Sequence, residues 1–300
     1  MIPKVTVLMS VYNGEQYLRD SIDSILNQTF TDYEFLIIDD GSKDKSMIII
    51  ESYDDSRIRL AVNDTNLGQA VSLNRGLNLA KGKYIARMDQ DDISLPRRLE
   101  KQVKFMEDNP EIGISGCWVR TFGTDLRLWK YLTKHEYLRW GCLINTSIFA
   151  HPSVIIRKRM IDKYNLKYNK MLSYGVSDYD LWLRAQELFK LGNLNQILLK
   201  YRVHNNSVSV IHNKLQVELR NKLNILKLQE RLGRKLTFRE TEFILGKNFR
   251  IISGWIFLLI DCYQKENTYS GRNFLIKLII INTRIMFVDR LKIVLRRISF

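Results

Sequence analysis

Short apolar runs alternate with stretches of helical periodicity along the first 123 residues. The apolar runs predict five buried strands, over residues 5–11, 34–39, 58–62, 83–89 and 112–123. Apolar residues at helical spacing predict helices between them, over residues 16–28, 41–53 (capped around Ser42), 68–80 and 96–108. Strands that alternate with helices in this way form a mostly parallel sheet with helices on both faces. The pattern therefore predicts an α/β fold.

The chain from residue 124 onward follows a less regular pattern. Residues 178–191 have helical periodicity, and residues 197–203 resemble a strand. The rest of the chain is predicted to be basic and helical, and no apolar stretch approaches the roughly 20 residues that a membrane-spanning helix needs. We therefore predict a main domain over residues 1–205 and a basic helical region over residues 206–300.

Positive charge is concentrated in the last third of the chain. Residues 1–199 carry 27 Lys/Arg and 25 Asp/Glu, whereas residues 200–300 carry 20 Lys/Arg and 7 Asp/Glu, a net charge of +13. Such a surface favours a polyanionic partner, either nucleic acid or an anionic membrane leaflet. Aliphatic runs such as IISGWIFLLI (251–260), with Lys and Arg at their margins, favour amphipathic helices in a membrane interface. We therefore expect this region to lie on an anionic membrane surface and to bind no nucleic acid.

Four of the predicted strands end in polar segments, which are SVYNG, DDGS, NDTNLG and DQDD. The carboxyl ends of parallel strands lie at one edge of a sheet, and α/β proteins bind their ligands there. The chain has no GxGxxG motif, and Gly82-Lys83 lacks the other residues of a phosphate-binding P-loop. A nucleotide at this edge would therefore be held by carboxylates and a metal ion instead of a glycine-rich loop.

The acidic residues at these positions admit two interpretations. Asp39 and Asp178 each stand at the start of a predicted helix, where a carboxylate stabilises the helix N-terminus. Alternatively, Asp39 contacts a nucleobase or ribose and Asp178 acts as a general base. Asp89, Asp91 and Asp92 exceed what one helix cap needs, and carboxylate oxygens are the ligands that Mg²⁺ and Mn²⁺ prefer. Residue types alone leave both interpretations open.

Six short motifs follow one another along the chain in this order: VTVLMSVYNGEQYL, EFLIIDDGSKD, ARMDQDD, HPSVIIR, SDYDLWLR and YRVHNNSVS. This ordered set resembles glycosyltransferase family 2, and the resemblance covers roughly residues 4–208. It implies an inverting enzyme with the GT-A fold, a Rossmann-like, mostly parallel sheet with helices on both faces. Residues 1–123 would then bind a nucleotide sugar, and residues 124–205 would face the acceptor.

The resemblance also implies roles for individual residues. Asp178 would be the general base, Trp182 would contact the acceptor, and Asp91 and His204 would hold Mn²⁺ or Mg²⁺ at the diphosphate. Asp92 is expected to serve only the start of the next helix. The nucleotide-sugar side would contain Ser10, Val11, Tyr12, Asp39, Asn66, Gly68, Asn74, Asp89, Gln90 and Asp91.

The implied reaction moves a hexose, with glucose or galactose favoured, from a UDP-sugar to a polyprenyl-diphosphate-linked sugar. The product would enter O-antigen or another bacterial surface polysaccharide, and a β-1,3 bond is expected from what such enzymes commonly form. The family's usual Glu before the base is Ser177 here, a departure that leaves Asp178 in place. Three isolated cysteines fit a reducing cytosol. We therefore expect a peripheral protein on the cytoplasmic face of the bacterial inner membrane.

Three alternatives are kept beside this interpretation. The first is another donor or acceptor, as in capsule or lipooligosaccharide synthesis. The second is a sugar-nucleotide pyrophosphorylase, which would need a glycine- and arginine-rich loop after the first strand, where residues 10–20 contain one glycine. The third is a non-catalytic binding protein with a decayed site, which the presence of Asp39, Asp91 and Asp178 argues against.

Overall fold

The computed structural model describes residues 2–143, 147–172 and 175–244. The described strands are β1 (Val5–Val11), β2 (Tyr33–Asp39), β3 (Ile58–Val62), β4 (Tyr84–Met88), β5 (Ile93–Ser94), β6 (Ile112–Gly123), β7 (Leu128–Trp129), β8 (Ile155–Arg157) and β9 (Lys190–Val203). The described α-helices are α1 (Leu18–Leu26), α2 (Ser46–Glu51), α3 (Gln69–Leu79), α4 (Arg98–Asp108), α5 (His135–Leu143), α6 (Lys158–Lys163), α7 (Ser177–Ala185), α8 (Val208–Ile211), α9 (Asn213–Leu232) and α10 (Phe238–Ile244). One turn of 3₁₀ helix, His151–Ser153, precedes β8.

The described strands form one sheet in the order β3-β2-β1-β4-β8-β6-β9-β5, with β7 paired to β6. β1 is parallel to β2 and β4, and β2 is parallel to β3. β8 is antiparallel to both β4 and β6, and β6 is parallel to β9. β6 and β9 therefore run in the same direction as the first four strands. The carboxyl ends of these six strands consequently lie at the same edge of the sheet.

Helices cover both faces of the sheet because the side chains of β1 alternate between two apolar layers. Val5, Val7 and Met9 belong to a buried cluster that includes residues of α1, α2 and α4. Leu8 points to the opposite face, where α3 packs. α3 approaches so closely that a Cβ atom on Gly76 would lie 2.2 Å from Leu8 Cδ1. A glycine is therefore required at this contact between α3 and the sheet.

The predicted strands of the first half are confirmed, each to within about one residue at either end. The second helix differs, because α2 begins at Ser46 instead of Gly41 and has no side-chain cap. Ser42, expected at the cap, instead accepts the Asn13 N–H at 3.0 Å in the loop after β1. The residues before α2 therefore connect two loops and do not extend the helix.

The helix predicted over residues 178–191 ends at Ala185, and β9 begins at Lys190. Leu191 pairs with Ile114 of β6. Periodicity over a few apolar residues does not distinguish a helix from a buried strand. Pairing with a strand more than 70 positions away in the sequence decides the conformation here.

The chain up to Leu223 forms one compact unit, and a second unit begins at Asn224. The first unit thus extends beyond residue 205 and includes α8 and the first half of α9. Among the described residues, no helix is both long enough and apolar enough to cross a membrane. The aliphatic runs from residue 251 onward lie outside the described residues.

Candidate active site

A cavity of about 1300 Å³ opens at the carboxyl ends of β1 and β4. This volume exceeds the roughly 300–1000 Å³ that is typical of a site for one small ligand. Two predicted residues, Asp39 and Asn74, lie outside the lining. The predicted residues that line the cavity are Ser10, Val11, Tyr12, Asn66, Gly68, Asp89, Gln90, Asp91, Asp178, Trp182 and His204.

Gln90 connects the loops after β1 and β4. Its side-chain carbonyl accepts the Tyr12 N–H at 2.8 Å, and its amide donates to the Tyr12 carbonyl at 3.1 Å. A Cβ atom on Gly14 would lie 2.8 Å from this amide group, so the side chain fits only because residue 14 is a glycine. Gln90 therefore shapes the cavity through the backbone of Tyr12, whose side chain is 42% exposed.

Two consecutive carboxylates, Asp39 as the last residue of β2 and Asp40 directly after it, have different surroundings. Asp40 accepts the Asn63 amide at 2.7 Å and the Gly68 N–H at 2.9 Å, so it holds the loop before α3. Asp39 is 1% exposed, and its Oδ2 accepts the Ser42 N–H at 3.1 Å. Its Oδ1 has no hydrogen-bond partner among the described residues. An unpaired buried acceptor is destabilising by about 1–3 kcal/mol, so Asp39 is the carboxylate that suits a ligand N–H or O–H.

Asp89, Asp91 and Asp92 form an acidic cluster in which one oxygen of each carboxylate lies within 4.8 Å of the others. Two like charges at such a distance repel by roughly 3–4 kcal/mol at an effective dielectric of 20. Burial raises the pKa of Asp89, although Arg87 opposes this shift through a direct ion pair with Asp89. Burial also raises the pKa of Asp92 well above its ordinary value, and the two neighbouring carboxylates add to the shift. The negative charge of three carboxylates is therefore only partly balanced by Arg87.

The structure contradicts the prediction that Asp92 serves only the start of the next helix. α4 begins at Arg98, and the Asp92 side chain is 1% exposed. Its Oδ1 accepts the Arg202 N–H at 2.8 Å, and its Oδ2 has no hydrogen-bond partner among the described residues. Asp92 is thus an inner member of the acidic cluster.

The end of β9 brings His204 to the acidic cluster. His204 Nε2 lies 3.0 Å from Asp91 Oδ2. Arg202 donates to the Asp91 carbonyl at 2.8 Å, and its guanidinium lies 4.2 Å from the centre of the Tyr17 ring. The Tyr17 ring in turn packs against His204, with ring centroids 5.0 Å apart. These contacts fix the imidazole beside Asp91.

These side chains fit a divalent cation. Carboxylate oxygens are the preferred ligands of Mg²⁺ and Mn²⁺, and an imidazole nitrogen is an accepted additional ligand for transition metals. A cation would relieve the repulsion among the carboxylates and would interact with the unpaired Asp92 Oδ2. Asp91 and His204 stay the predicted ligands, with Asp89 and Asp92 close enough to contribute.

Asp178 lies in the first turn of α7 and faces the same cavity. Burial raises its pKa to about 6, while Arg87 and Arg220 each act to lower it. Asp180 in the same turn differs, because it forms an ion pair with Arg184 at 2.6 Å. A cavity-facing carboxyl group that titrates near neutral pH is suited to accept a proton.

Aromatic side chains form one wall of the cavity. Trp182 is 2% exposed and packs edge-on against Phe149, with ring centroids 5.2 Å apart. His151 packs beside Trp182 at 6.1 Å, and its Nε2 lies 3.0 Å from the Tyr168 hydroxyl. Burial, with a smaller effect of Arg87, holds the pKa of His151 well below its ordinary value. His151 is therefore a neutral imidazole at physiological pH.

Asn74 has a structural position, which differs from the predicted one on the nucleotide side. Its side-chain amide donates to the Tyr168 carbonyl and accepts the Tyr168 N–H, both at 2.8 Å. Both polar groups of Asn74 are thus used by the backbone. The residue positions Tyr168 and does not line the cavity.

Comparison with known proteins identifies the family. The model of the family described as "Glycosyl transferase family 2" matches residues 6–165. An uncharacterized glycosyltransferase of Methanocaldococcus jannaschii is 38% identical over 211 residues, which cover 68% of this chain and 72% of that protein. The O-antigen biosynthesis glycosyltransferase WbnJ of Escherichia coli is 32% identical over 213 residues, which cover 69% of this chain and 82% of that protein. The chain belongs to glycosyltransferase family 2 and is a glycosyltransferase.

Solved structures share the fold. The crystal structure of S. aureus TarS 1-349 in complex with UDP-GlcNAc has a TM-score of 0.63 and 17% identity, and the match covers 87% of this chain and 81% of that chain. The mannosyltransferase PcManGT from Pyrobaculum calidifontis, in complex with GDP-Man and Mn²⁺, has a TM-score of 0.60 and 15% identity, over 94% of this chain and 81% of that chain. The predicted GT-A fold is confirmed.

The sequence did not predict roles for Arg87, Arg202 and Tyr168. Arg87 had a signal, because a charge inside the apolar strand YIARM is rarely buried without a partner. Arg202 and Tyr168 had none. Arg202 reaches its partner Asp91 across 111 positions of sequence, and Tyr168 is held by Asn74 across 94.

Proposed function

We propose that this glycosyltransferase is an inverting, metal-dependent hexosyltransferase. It moves glucose or galactose from a UDP-sugar to a polyprenyl-diphosphate-linked sugar. One observation carries the proposal: Asp178 lines the same cavity as Asp89 and Asp91, two members of the acidic cluster. A leaving diphosphate needs a positive charge that stabilises it, and an attacking hydroxyl needs a base that accepts its proton. The acidic cluster, which can hold a cation, and Asp178 can provide these two functions within one cavity.

The acidic cluster serves the leaving group. Asp91 and His204 would hold Mn²⁺ or Mg²⁺, with Asp89 and Asp92 beside them. A cation bound there stabilises the negative charge of the departing diphosphate as a Lewis acid. On the nucleoside side, Asp39 offers its unpaired Oδ1 to an N–H of uracil or a hydroxyl of ribose. The remaining nucleotide contacts are those predicted for the loops after β1 and β3.

Asp178 serves the nucleophile. Its carboxylate accepts the proton of the acceptor hydroxyl as the hydroxyl oxygen attacks the anomeric carbon. Trp182, in the aromatic wall beside it, offers the acceptor sugar an apolar surface. Attack from the face opposite the diphosphate inverts the configuration, so an α-linked UDP-hexose gives a β-glycoside. We propose a β-1,3 bond as the product.

A donor and metal screen tests the reaction. The protein is incubated with a polyprenyl-diphosphate-linked sugar and, separately, UDP-glucose, UDP-galactose, UDP-GlcNAc or GDP-mannose, with Mn²⁺ or with EDTA. Transfer from UDP-glucose or UDP-galactose that stops in EDTA and returns with added Mn²⁺ is expected. Undiminished transfer in EDTA contradicts the metal role, and transfer from GDP-mannose alone contradicts the UDP-hexose donor.

A matched pair of variants assigns the metal to the acidic cluster. Asp91→Ala should abolish Mn²⁺ binding measured by calorimetry. Asp125→Ala removes another partly buried carboxylate, one that pairs with Arg127 at 2.7 Å outside the cavity lining, and should leave Mn²⁺ binding unchanged. Equal Mn²⁺ affinity in both variants would place the metal elsewhere.

The proposal extends to surface-polysaccharide synthesis on the cytoplasmic face of the bacterial inner membrane. The name of the E. coli relative, an O-antigen biosynthesis enzyme, supports the pathway class. The net charge of +13 over residues 200–300 supports binding to an anionic leaflet. The full chain should therefore float with vesicles that contain phosphatidylglycerol, and high salt should release it. Equal binding to pure phosphatidylcholine vesicles, or no binding to either, would contradict the location.

A further inference from the structure

Three side chains of lysine or arginine line the cavity, namely Arg87, Lys130 and Arg220. Arg87 pairs with Asp89 in the acidic cluster. Lys130 and Arg220 form no ion pair with a carboxylate in the described part of the chain. Arg220 is half-buried and Lys130 is exposed, so solvent screens the charge of Arg220 less. Arg220 is therefore the better placed of the two to attract an anionic ligand.

Arg220 lies on α9, one helical turn after Gln216. Its Nε donates to the Gln216 carbonyl at 3.3 Å, so the guanidinium is turned back along the helix. Gln216 packs closely against the segment that leads into α7, and a Cβ atom on Gly175 would lie 2.8 Å from Gln216 Nε2. Asp178 follows shortly after Gly175 and lines the same cavity. Arg220 is thus on the side of the cavity that carries the proposed general base.

The two Nη nitrogens of Arg220 form no hydrogen bond with another of the described residues. Two nearby cations are used differently. Arg184 on α7 pairs with Asp180 at 2.6 Å. Lys222 lies on α9 close to Arg220 in the sequence, but it pairs with Glu218 at 3.1 Å and is outside the cavity lining. The terminal donors of Arg220 are therefore available to a ligand.

A cation on this side of the cavity is needed if the acceptor is anionic. The carboxylates that already line the cavity are those of Asp40, Asp89, Asp91 and Asp178. They would repel a second diphosphate, since like charges repel at the reduced effective dielectric of a protein site. A metal ion at the acidic cluster would balance only the diphosphate of the donor. A guanidinium binds phosphate oxygens through two parallel N–H···O bonds, so an arginine is suited to the diphosphate of the acceptor.

We propose that Arg220 is a substrate-binding residue: its guanidinium holds the diphosphate of the lipid-linked acceptor while the attached sugar reaches Asp178. The cavity of about 1300 Å³ is larger than a typical site for one small ligand, so it has room for donor and acceptor together. The inference rests on the proposed function, which supplies the acceptor class, and it adds the group of the protein that recognises the phosphates. Arg220 contributes binding and takes no part in proton transfer.

Binding of geranyl diphosphate tests the proposal without any sugar transfer. This probe has the diphosphate and a short polyprenyl chain but no sugar. Its affinity is measured by calorimetry in a non-ionic detergent with UDP and Mn²⁺ at saturation, so neither the metal site nor an anionic headgroup competes for it. Arg220→Ala should weaken binding by about 10–100-fold, because hydrogen bonds to a charged group are lost. The affinity for UDP should stay at the wild-type value, because the donor is proposed to bind at the acidic cluster.

Three further variants complete this experiment. Lys222→Ala removes a cation of the same helix that lies outside the cavity lining, and it should leave both affinities unchanged. Arg220→Lys keeps the charge but loses the parallel bonds, so it should weaken binding less than Arg220→Ala does. Arg220→Gln provides a second neutral side chain that favours a helix. Wild-type binding of geranyl diphosphate by both neutral variants would overturn the proposal, and so would failure of both to fold, because Arg220 would then serve the stability of α9.

A pair of acceptors separates this inference from the proposed function. Transfer is compared for one sugar attached either to geranyl diphosphate or directly to geraniol. Arg220→Ala should raise KM for the diphosphate-linked acceptor by about 10–100-fold with little change in kcat, and it should leave kcat/KM for the neutral acceptor unchanged. An equal loss with both acceptors would contradict a role in binding the diphosphate.

The wild-type preference between the two acceptors decides which claim fails. If the wild type uses the neutral acceptor as well as the charged one, the diphosphate-linked acceptor is wrong and the role of Arg220 falls with it. If the wild type favours the charged acceptor and Arg220→Ala keeps the full preference, only the role of Arg220 is overturned.

Discussion

The two sides of the cavity are built differently. The proposed donor side comes from β1 to β4, consecutive strand-helix units whose loops bond to one another, as Gln90 does to Tyr12. The acceptor side comes from segments that long-range pairing inserts into the sheet. β8 lies between β4 and β6 and follows the 3₁₀ turn that carries His151. The proposed donor side is thus mostly a local construction, to which the end of β9 adds His204, and the proposed acceptor side depends on the whole fold.

The two sides also differ in what their polar side chains do: some hold the loops in place (the frame of the cavity), and others are available to a ligand. On the proposed donor side, Asp40 and Gln90 hold neighbouring loops. Asp39 differs, because its Oδ1 has no hydrogen-bond partner in the described part of the chain. On the acceptor side, Asp178 has its pKa raised by burial in a wall made of distant segments. Substitution of a residue that holds a loop should therefore change stability. Substitution of a carboxylate that is exposed or lacks a hydrogen-bond partner among the described residues should change binding or turnover.

The largest effect is expected at α7, where two carboxylates share one helical turn. Asp178→Asn should lower kcat by about 10²–10⁴-fold, because it removes the proposed general base. Asp180→Asn makes the same change in charge but faces Arg184 instead of the cavity, so kcat should stay near the wild-type value. Initial rates of sugar transfer test this pair, and a comparable loss in both variants would contradict the assignment.

A smaller effect is expected from the two carboxylates after β2. Asp39→Asn should weaken UDP binding by about 10–100-fold with little change in Tm, because a hydrogen bond to a charged group contributes about 1.5–3 kcal/mol. Asp40→Asn should mainly lower Tm, since Asp40 accepts the Asn63 amide and the Gly68 N–H. Calorimetric UDP titration and thermal unfolding measure the two quantities. If Asp39→Asn instead lowers Tm and Asp40→Asn instead weakens UDP binding, the roles of the two carboxylates have been assigned the wrong way round.

The acceptor side should also determine the pH profile. Asp178 must be deprotonated to accept a proton, and burial raises its pKa to about 6. The value of kcat/KM should therefore fall about tenfold per pH unit below pH 6 and be flat just above it. The profile is measured with donor below KM. A profile without an acidic limb between pH 5 and 7 would argue against Asp178 as the base.

The smallest effect on turnover is expected from a change in the packing of α3 against β1, away from the cavity. Gly76→Ala puts a Cβ atom 2.2 Å from Leu8 Cδ1 and should destabilise the fold by about 1–3 kcal/mol. In a Leu8→Ala background the same change should be tolerated better, because the clashing atom is gone. Chemical denaturation of the four proteins measures this coupling. Equal costs in both backgrounds would show that the contact between α3 and β1 is not the reason for the glycine.

The fold was predictable where its patterns are local. The first four strands alternate with helices within short stretches, and their bounds are confirmed. β5, β7 and β8 have two or three residues each, too few for periodicity to detect. Lys190 and Leu191, predicted as the end of a helix, instead begin β9 because they pair with β6, which no local pattern encodes.

The site was predictable where residue types form motifs, and less so where burial decides. The spacing of carboxylates and the family resemblance indicated Asp89, Asp91 and Asp178, and these three residues line one cavity. Asp92 was misjudged because its burial follows from Arg202, 110 positions later. Asn74 was misplaced for a similar reason, since its partner Tyr168 lies 94 positions away.

In the proposed reaction, one cavity holds the donor at the acidic cluster and the acceptor at Asp178, and the acceptor hydroxyl attacks the anomeric carbon in a single displacement. The most direct test is the anomeric configuration of the product formed from an α-linked UDP-hexose, read from the proton NMR coupling constant of the anomeric hydrogen. A β-glycoside is predicted. An α-glycoside would require retention and would contradict the account.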